Sequence, residues 1–114
     1  MTKQEQEDFF DEYINKMRDV LLNKGDDYAN ADRLSNFKLA GLIAGGSAKI
    51  NCLNLIATKV ARLGVLINSK DKPKNESISD SIMDLANYAL LLAMIDDEFN
   101  RLTYKSNTFK WELK

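Results

Sequence analysis

The sequence contains no histidine, one cysteine and one proline among its 114 residues. Without histidine the chain cannot form a Ser-His-Asp triad, a Cys-His pair or an imidazole zinc site. Any metal would have to be held by oxygen atoms, which favours magnesium or manganese. A single cysteine, Cys52, excludes a disulfide within one chain and fits a reducing cytoplasm. Because Cys52 stands in an apolar run, we expect a small buried side chain rather than a nucleophile.

The chain also lacks a strong charge of either sign, since its net charge is −1. Without an overall positive field, duplex DNA and anionic membranes are not predicted partners. The N-terminus is polar and acidic rather than signal-like, and we expect no apolar run to reach the length that spans a bilayer. These features predict a cytoplasmic protein with no membrane partner.

Length and periodicity predict one small helical domain. Hydrophobic residues make up 45 % of the chain and recur every three or four positions. A chain of this length buries only part of its surface, so a helical core is often completed by oligomerisation. The sequence predicts a single all-α domain over residues 1–102 and a short C-terminal arm over residues 103–114, with three aromatic side chains in the arm.

The first two predicted helices are separated by a polar connector. The first helix covers residues 3–23, with Gly25 as its C-terminal cap, and the connector covers residues 24–34. In the connector, carboxylates could reach a metal and Tyr28 could stack on a base. Alternatively, the Asp and Asn side chains form a turn by bonding their own backbone. The second helix covers residues 36–44, with Ser35 as its N-cap.

Glycines at 45 and 46 end the second helix, and Ser47 is the predicted N-cap of a third helix over residues 48–68. This helix is the most apolar part of the chain and is expected to be covered nearly all round. A polar strip that includes Asn51 and Arg62 lies opposite the main apolar arc. The residues of this predicted buried arc are Ile50, Leu53, Ile56, Val60, Leu63 and Ile67.

The last predicted helix covers residues 75–102, with Asn75 or Ser77 as its N-cap and a weak capping box between Ser77 and Asp80. Its apolar stripe predicts which face is buried against the rest of the bundle. The residues of this stripe are Ile78, Ile82, Leu85, Ala89 and Leu92.

Four polar side chains of the last helix lie on one line, because their spacings are four, four and three residues. The same sector becomes apolar further along, which indicates that it faces a protected cleft. Such a stripe suits a divalent cation or the polar edge of a small ligand. The alternative, a solvated first turn rich in acidic residues, explains the first two positions better than the last two. The polar residues are Glu76, Asp80, Asp84 and Asn87, and the apolar ones are Leu91, Met94 and Ile95.

Two cations, Lys59 and Arg62, fall within the apolar third helix and need an anionic partner if they are covered. Asp80 and Asp84 of the next helix could form ion pairs with them across a helical hairpin. A ligand phosphate could serve equally well, since arginine suits bidentate phosphate recognition.

Four segments together resemble a known group of proteins. They are KGDDYA at residues 24–29, SNF at 35–37, IATKVARLGVL at 56–66 and ESISDSIMDLANYALLL at 76–92. This combination is similar to the phage and bacterial "nucleotide modification associated" small helical proteins, which are related to MazG and to dimeric dUTPase-like all-α nucleotide pyrophosphatases. The resemblance implies an all-α, MazG-like bundle of about four helices that forms a homodimer or a higher homo-oligomer. It also implies phosphate-rich nucleotide ligands and often magnesium.

Within this resemblance, Glu76, Asp80 and Asp84 match the second acidic helix of the pyrophosphatases. Lys59 and Arg62 stand where those enzymes carry a first acidic motif, E-E-x-x-E. Replacing those carboxylates by cations removes about half of the metal cage that such hydrolysis uses. The departure favours a site that holds phosphates over one that cleaves them, although Asp26 and Asp27 could restore some ligands.

The leading hypothesis is a phage-type protein that holds a nucleotide or a cyclic oligonucleotide without obligatory turnover. In the cytoplasm of an infected bacterial host it would sequester a nucleotide immune signal, as an anti-defence sponge, or serve nucleotide modification. Lys59 and Arg62 would contact phosphate, and Tyr28 or Tyr88 would stack on the base. The predicted nucleotide-binding residues are Lys24, Asp27, Tyr28, Asn36, Phe37, Lys59, Arg62, Asp80, Asp84, Asn87 and Tyr88.

Two alternatives belong to other classes. A magnesium-dependent nucleotide pyrophosphohydrolase would use Glu76, Asp80 and Asp84 as metal ligands, and only this alternative implies a cofactor. A structural helical module would bind no ligand, so nucleotides would leave its melting temperature unchanged.

Overall fold

The computed structural model describes residues 1–28, 32–70 and 77–104. These residues form four helices in chain order: α1 (Lys3–Tyr28), α2 (Ser35–Ala44), α3 (Ala48–Asn68) and α4 (Ile78–Tyr104). Within these ranges no residue belongs to a strand, so the predicted all-α class and the number of helices are confirmed. Most of the predicted C-terminal arm, residues 105–114, lies outside the described residues.

The centre of the fold is an antiparallel pair formed by α3 and α4, which make the most extensive contact of any two helices. The ion pair of Lys49 with Asp96 lies toward one end of this pair, and that of Lys59 with Asp84 lies toward the other. Residue numbers therefore increase along α3 in the direction in which they decrease along α4, as in an antiparallel pair. α2 packs on α3, and α1 contacts α4.

Three hydrophobic residues of the described ranges are buried: Leu34, Cys52 and Ile95. Partly buried apolar side chains surround them, including Phe37 of α2 and Leu91 of α4. Cys52 is 0 % exposed, as its apolar surroundings predicted, and its Sγ–H donates to the carbonyl oxygen of Tyr88 at 3.4 Å. Burial raises the pKa of the Cys52 thiol, which favours its protonated form.

The predicted buried arc of α3 is wrong in most of its positions. Its face is more than half exposed at Ile50 and Val60 and 64 % exposed at Ile67, whereas Ile56 and Leu63 are half-buried. The face that packs on α4 is centred on Cys52 and Lys59 instead. The prediction chose the most hydrophobic face of α3 as the buried one. In the structure α4 covers a different face, which includes smaller and polar side chains.

The stripe predicted for α4 is also displaced. Ile82 is 44 % exposed and Ala89 is exposed, whereas Ser81, Asn87 and Ile95 are buried. The buried positions lie about one residue, or 100°, around the helix from the predicted ones. Small and neutral side chains such as Ser81, which is 0 % exposed, occupy buried positions that a hydrophobicity pattern does not reveal.

The helix ends follow local chemistry, with two corrections. α1 continues through Gly25 to Tyr28, because a glycine inside a helix costs only about 1 kcal/mol. Ser35 is the first residue of α2 rather than its N-cap. Asp32 begins the turn instead, since its Oδ1 accepts from the Leu34 N–H at 3.0 Å and its carbonyl oxygen accepts from the Ser35 N–H at 3.0 Å.

The other predicted caps are confirmed. Gly45 ends α2 in the left-handed region at φ 77°, where a residue without Cβ is favoured. Ser47 caps α3, because its Oγ accepts from the Ile50 N–H at 3.2 Å. At the start of α4, the Asp80 N–H donates to Ser77 Oγ at 3.0 Å and the Ser77 N–H donates to Asp80 Oδ2 at 3.4 Å, which is a capping box.

Two helical segments, Ala48–Asn68 and Ile78–Thr103, are long and apolar enough to cross a membrane by length and composition alone. The expectation that no run reaches spanning length is therefore wrong. The core helices of water-soluble proteins can pass the same test, so this finding is weak evidence for a membrane span. The two segments are also the central pair of this bundle, and Lys59 and Asp84 form an ion pair between them.

Candidate functional site

A cavity of about 660 Å³ lies where the four helices meet, and its lining includes residues from each of them. Its volume falls within the range of small-molecule sites, about 300–1,000 Å³. Apolar side chains such as Leu55 of α3 and Met94 of α4 line much of its wall. The cavity therefore has the size and the partly apolar character of a ligand pocket.

The predicted polar sector of α4 reaches this cavity through its middle part. Asp84, Asn87 and Tyr88 line the wall, followed by Leu91 and Met94. The prediction that this sector faces a protected cleft is confirmed for Asp84, Asn87, Leu91 and Met94, whereas Tyr88 was not part of the predicted sector. A helix repeats every 3.6 residues, so spacings of three and four keep them on one side.

The first two members of the stripe do not join them at the cavity. Asp80 is exposed, is not among the residues that line the cavity, and forms the capping box with Ser77. Glu76 lies outside the described residues. Helix capping therefore accounts for Asp80, as the solvated-turn alternative proposed.

An ion pair joins α3 to α4 beside the cavity. Lys59 Nζ lies 2.9 Å from Asp84 Oδ2, and the side chains are 16 % and 31 % exposed. A partly covered cation therefore has the anionic partner that its position requires. Arg62, the other predicted phosphate contact, is exposed on α3 and does not line the cavity.

Asn87 stands out among the polar residues of the wall. It is only 5 % exposed, and neither Oδ1 nor Nδ2 has a hydrogen-bond partner among the groups that the structure describes. Buried amides are normally hydrogen-bonded, because an unmade bond costs about 1–3 kcal/mol. A residue with this cost, placed on a cavity wall, is a candidate for ligand contact.

The short helix α2 supplies another part of the cavity lining. Phe37 is half-buried and lies against the core, whereas Asn36 is exposed, and both line the cavity. These residues entered the prediction only through the SNF segment of the resemblance. The fold brings them to the same cavity as Asp84 and Asn87, which lie 47 or more positions further along the chain.

Three predicted residues, Lys24, Asp27 and Tyr28, have helical backbone at the end of α1, but their side chains lie outside the described residues. The preceding turn of α1 reaches the cavity through Val20, Leu21 and Leu22. The predicted contribution of this segment to the site remains a prediction.

Two polar residues of the lining were not predicted as ligand contacts. Arg33 lies in the turn before α2, and its Nη2 donates to the Leu22 carbonyl oxygen at 2.8 Å. Asn51 lies on α3, one turn before Leu55. Asn51 belongs to the polar strip opposite the apolar arc of α3, so this strip could have identified it as a lining residue. No local sequence feature distinguished Arg33 from a solvated loop residue.

The described carboxylates do not fit a magnesium site. Within residues 1–23, 32–70 and 77–103, no three acidic or cysteine side chains converge closely enough to hold a metal ion. Asp84 is engaged by Lys59, and Asp80 is engaged in the helix cap. What this arrangement can do chemically is to bind a polar ligand through an amide, a cation and aromatic surface.

Comparison of the chain with protein-family models, curated proteins and solved structures gave no match.

Proposed function

We propose that this protein binds a phosphate-bearing nucleotide in the cavity between its four helices. The observation that carries the proposal is the meeting of Asn36 and Phe37 from α2 with Asp84, Asn87 and Tyr88 from α4 around one cavity of about 660 Å³. These five residues come from two separate segments of the family resemblance. Their convergence on one cavity supports a ligand site more strongly than either segment does.

The lining offers groups suited to the base and to the phosphates of a nucleotide. Phe37 and Tyr88 provide aromatic surface on which a base can stack. Arg33 lines the same cavity and carries a guanidinium, which suits phosphate oxygens. Lys59, held 2.9 Å from Asp84, provides a second cation beside the wall.

The arrangement favours holding the ligand over cleaving it. Hydrolysis of a phosphoanhydride usually needs carboxylates that hold magnesium around the phosphates. Here Asp84 faces Lys59, and Asp80 caps a helix. The proposed role is sequestration of a nucleotide or a cyclic oligonucleotide, such as an immune signal in a phage-infected bacterium, or service in nucleotide modification.

The same proposal includes self-association into a dimer or a higher homo-oligomer. One face of α3 carries residues with alternating spacings of three and four, which is the pattern of a coiled-coil seam. All six of these residues are exposed in the single chain. We call this face the α3 seam, and its residues are Ile50, Leu53, Ala57, Val60, Gly64 and Ile67.

The test is a thermal-shift screen of the full chain against nucleoside monophosphates, nucleoside triphosphates and cyclic dinucleotides, with and without magnesium. A ligand at 100 times its Kd stabilises the folded state by about 2.7 kcal/mol. Chromatography of the recovered compound then separates the hypotheses. Intact ligand supports sequestration, and release of pyrophosphate or phosphate supports the hydrolase. If no compound raises the melting temperature, the proposal is wrong.

A pair of matched variants localises binding. Arg33→Gln removes the guanidinium from the cavity lining and is expected to weaken binding about tenfold or more. Arg101→Gln removes an arginine whose Nε lies 2.9 Å from Asp97 on the exposed side of α4. This control should leave binding unchanged. Equal effects of the two substitutions would place the ligand elsewhere.

A further inference from the structure

The amide of Asn87 is the one side chain of the described cavity wall whose polar atoms are both buried and unpartnered. Its neighbour on the same sector, Asp84, has Lys59 as its partner at 2.9 Å. The carboxylate of Asp84 therefore has its counter-ion within the protein, whereas the neutral amide of Asn87 is not satisfied. The folded protein therefore keeps an unsatisfied amide, which is energetically unfavourable, in the wall of a cavity.

An amide places a hydrogen-bond acceptor and a donor side by side in one plane. A phosphate oxygen can satisfy only the Nδ2 donor, and a single sugar hydroxyl cannot reach both atoms in the plane. A base edge that carries an N–H next to a ring nitrogen or a carbonyl oxygen satisfies both atoms at once. Because the amide can turn about its Cβ–Cγ bond, either order of donor and acceptor fits.

We propose that Asn87 recognises the hydrogen-bonding edge of a nucleobase and makes binding depend on an N–H beside an acceptor in that base. This inference rests on the proposed nucleotide-binding function and specifies the ligand chemistry at the same site. Phe37 and Tyr88 line the cavity with Asn87, so a base could stack while its edge meets the amide.

The closing experiment compares each base with its edge-blocked derivative by isothermal titration. The probes are AMP, GMP, CMP and UMP and the 3′,3′-cyclic dinucleotides of adenine and guanine. Each is measured unmodified and after methylation of the N–H positions of the base edge. We expect the methylated form of any binding probe to lose about 10- to 100-fold in affinity, because a buried amide would then stay unpaired in the complex.

The variant Asn87→Leu should bind the unmodified probe only as tightly as the methylated probe. This variant would therefore no longer distinguish the two forms. Asn100→Leu is the matched control, since Asn100 lies on the same helix outside the cavity and its Nδ2 donates to Asp96. This control should keep the full preference for the unmodified base.

A second readout uses the free protein. Asn87→Leu removes two unsatisfied polar atoms and is expected to raise the melting temperature without ligand. A lower melting temperature would mean that the fold needs the amide, and the inference would be wrong.

Loss of base-edge recognition and loss of nucleotide binding would give different results. If an unmodified probe binds and its methylated form binds equally well, or if Asn87→Leu binds with unchanged affinity, base-edge recognition is overturned and nucleotide binding stands. If none of the unmodified probes binds, nucleotide binding itself is overturned.

Discussion

At Gly41, α2 lies close to the backbone of Ser47 and of Ala48 at the start of α3. A Cβ atom at this position would lie 2.6 Å from the backbone carbon of Ser47, 2.7 Å from its carbonyl oxygen and 2.9 Å from the Ala48 nitrogen. All three atoms belong to the backbone of the turn and of the first residue of α3, so no side chain can rotate away.

Gly41→Ala is therefore expected to destabilise the protein by about 1–3 kcal/mol, as overpacking does in other cores. The measurement is the free energy of unfolding by urea. Gly46→Ala in the same turn is the control, because its Cβ would meet only the Ile50 side chain at 3.8 Å. We expect that change to stay within about 0.5 kcal/mol. Equal losses for both variants would mean that the turn, rather than the contact, sets the stability.

At the scale of the helix, local hydrogen bonds decide where α4 begins. Ser77 and Asp80 satisfy each other's backbone N–H groups, as a capping box requires. The acidic side chain in this turn also faces the positive end of the helix dipole. Asp80 thus has a structural role that its place in an acidic stripe did not reveal.

Ser77→Ala should cost about 1 kcal/mol, the usual effect of removing a serine N-cap. Ser79→Ala changes an exposed serine two residues further on and should have little effect. Thermal or urea unfolding measures both. If Asp80→Ala lowered nucleotide affinity without lowering stability, its assignment as a cap would be wrong.

The turn before α2 is fixed to α4 by a cluster of three charges. Lys38 Nζ lies 2.6 Å from Asp32 Oδ2 and 2.6 Å from Glu98 Oε1. The hydrogen bond from Lys38, followed by that from the Leu34 N–H, lowers the pKa of the Asp32 carboxyl. The same hydrogen bonds to Asp32 and Glu98 raise the pKa of Lys38.

A carboxyl whose pKa is lower in the folded state stabilises the fold above its unfolded pKa, about 3.9 for aspartate. That stabilisation is lost as the pH falls through the folded pKa. Asp32→Asn keeps an acceptor for the Leu34 N–H but removes the charge, so its melting temperature should fall below wild type at pH 7. The difference should shrink as the pH falls below about 3.9 and passes through the lowered pKa of Asp32 in the folded state. When Lys38→Gln is already present, Asp32→Asn should change the melting temperature only slightly at pH 7. A large change in that background would mean that Lys38 is not the partner that stabilises the Asp32 carboxylate.

At the scale of the whole molecule, the chain leaves much of its apolar surface uncovered. Leu42 and Ile43 of α2 are each 77 % exposed, and Val60 in the middle of the α3 seam is 53 % exposed. Contiguous exposed apolar surface usually marks a protein or membrane contact. The seam spacing favours a helix of a second copy as the partner.

We expect a mass above the 12.9 kDa of one chain in light scattering after size-exclusion chromatography. Val60→Lys should shift the protein toward the monomer, because a charge in the seam would be desolvated. Thr58→Lys adds the same charge on an exposed part of α3 away from the seam, and should leave the assembly intact. A wild-type monomer at micromolar concentration would contradict self-association. Co-flotation with lipid vesicles that Val60→Lys abolishes would assign the seam to a bilayer instead.

The sequence by itself determined the helices, because their periodicity and caps arise from contacts within about four residues. Ser47, Gly45 and the Ser77–Asp80 box act as predicted, and the bounds of α3 are those expected. It also identified the sector of Asp84 and Asn87 as facing a cleft, since a polar stripe that becomes apolar is a local pattern.

Only the tertiary structure decided which helix faces are covered and what the cleft contains. The α3 arc was expected to be buried, yet α4 covers the neighbouring face around Cys52 and Lys59. Arg33 entered the cavity wall and Arg62 did not. These outcomes depend on contacts between residues far apart in the chain, and burial there reflects how closely two helices can approach rather than hydrophobicity alone.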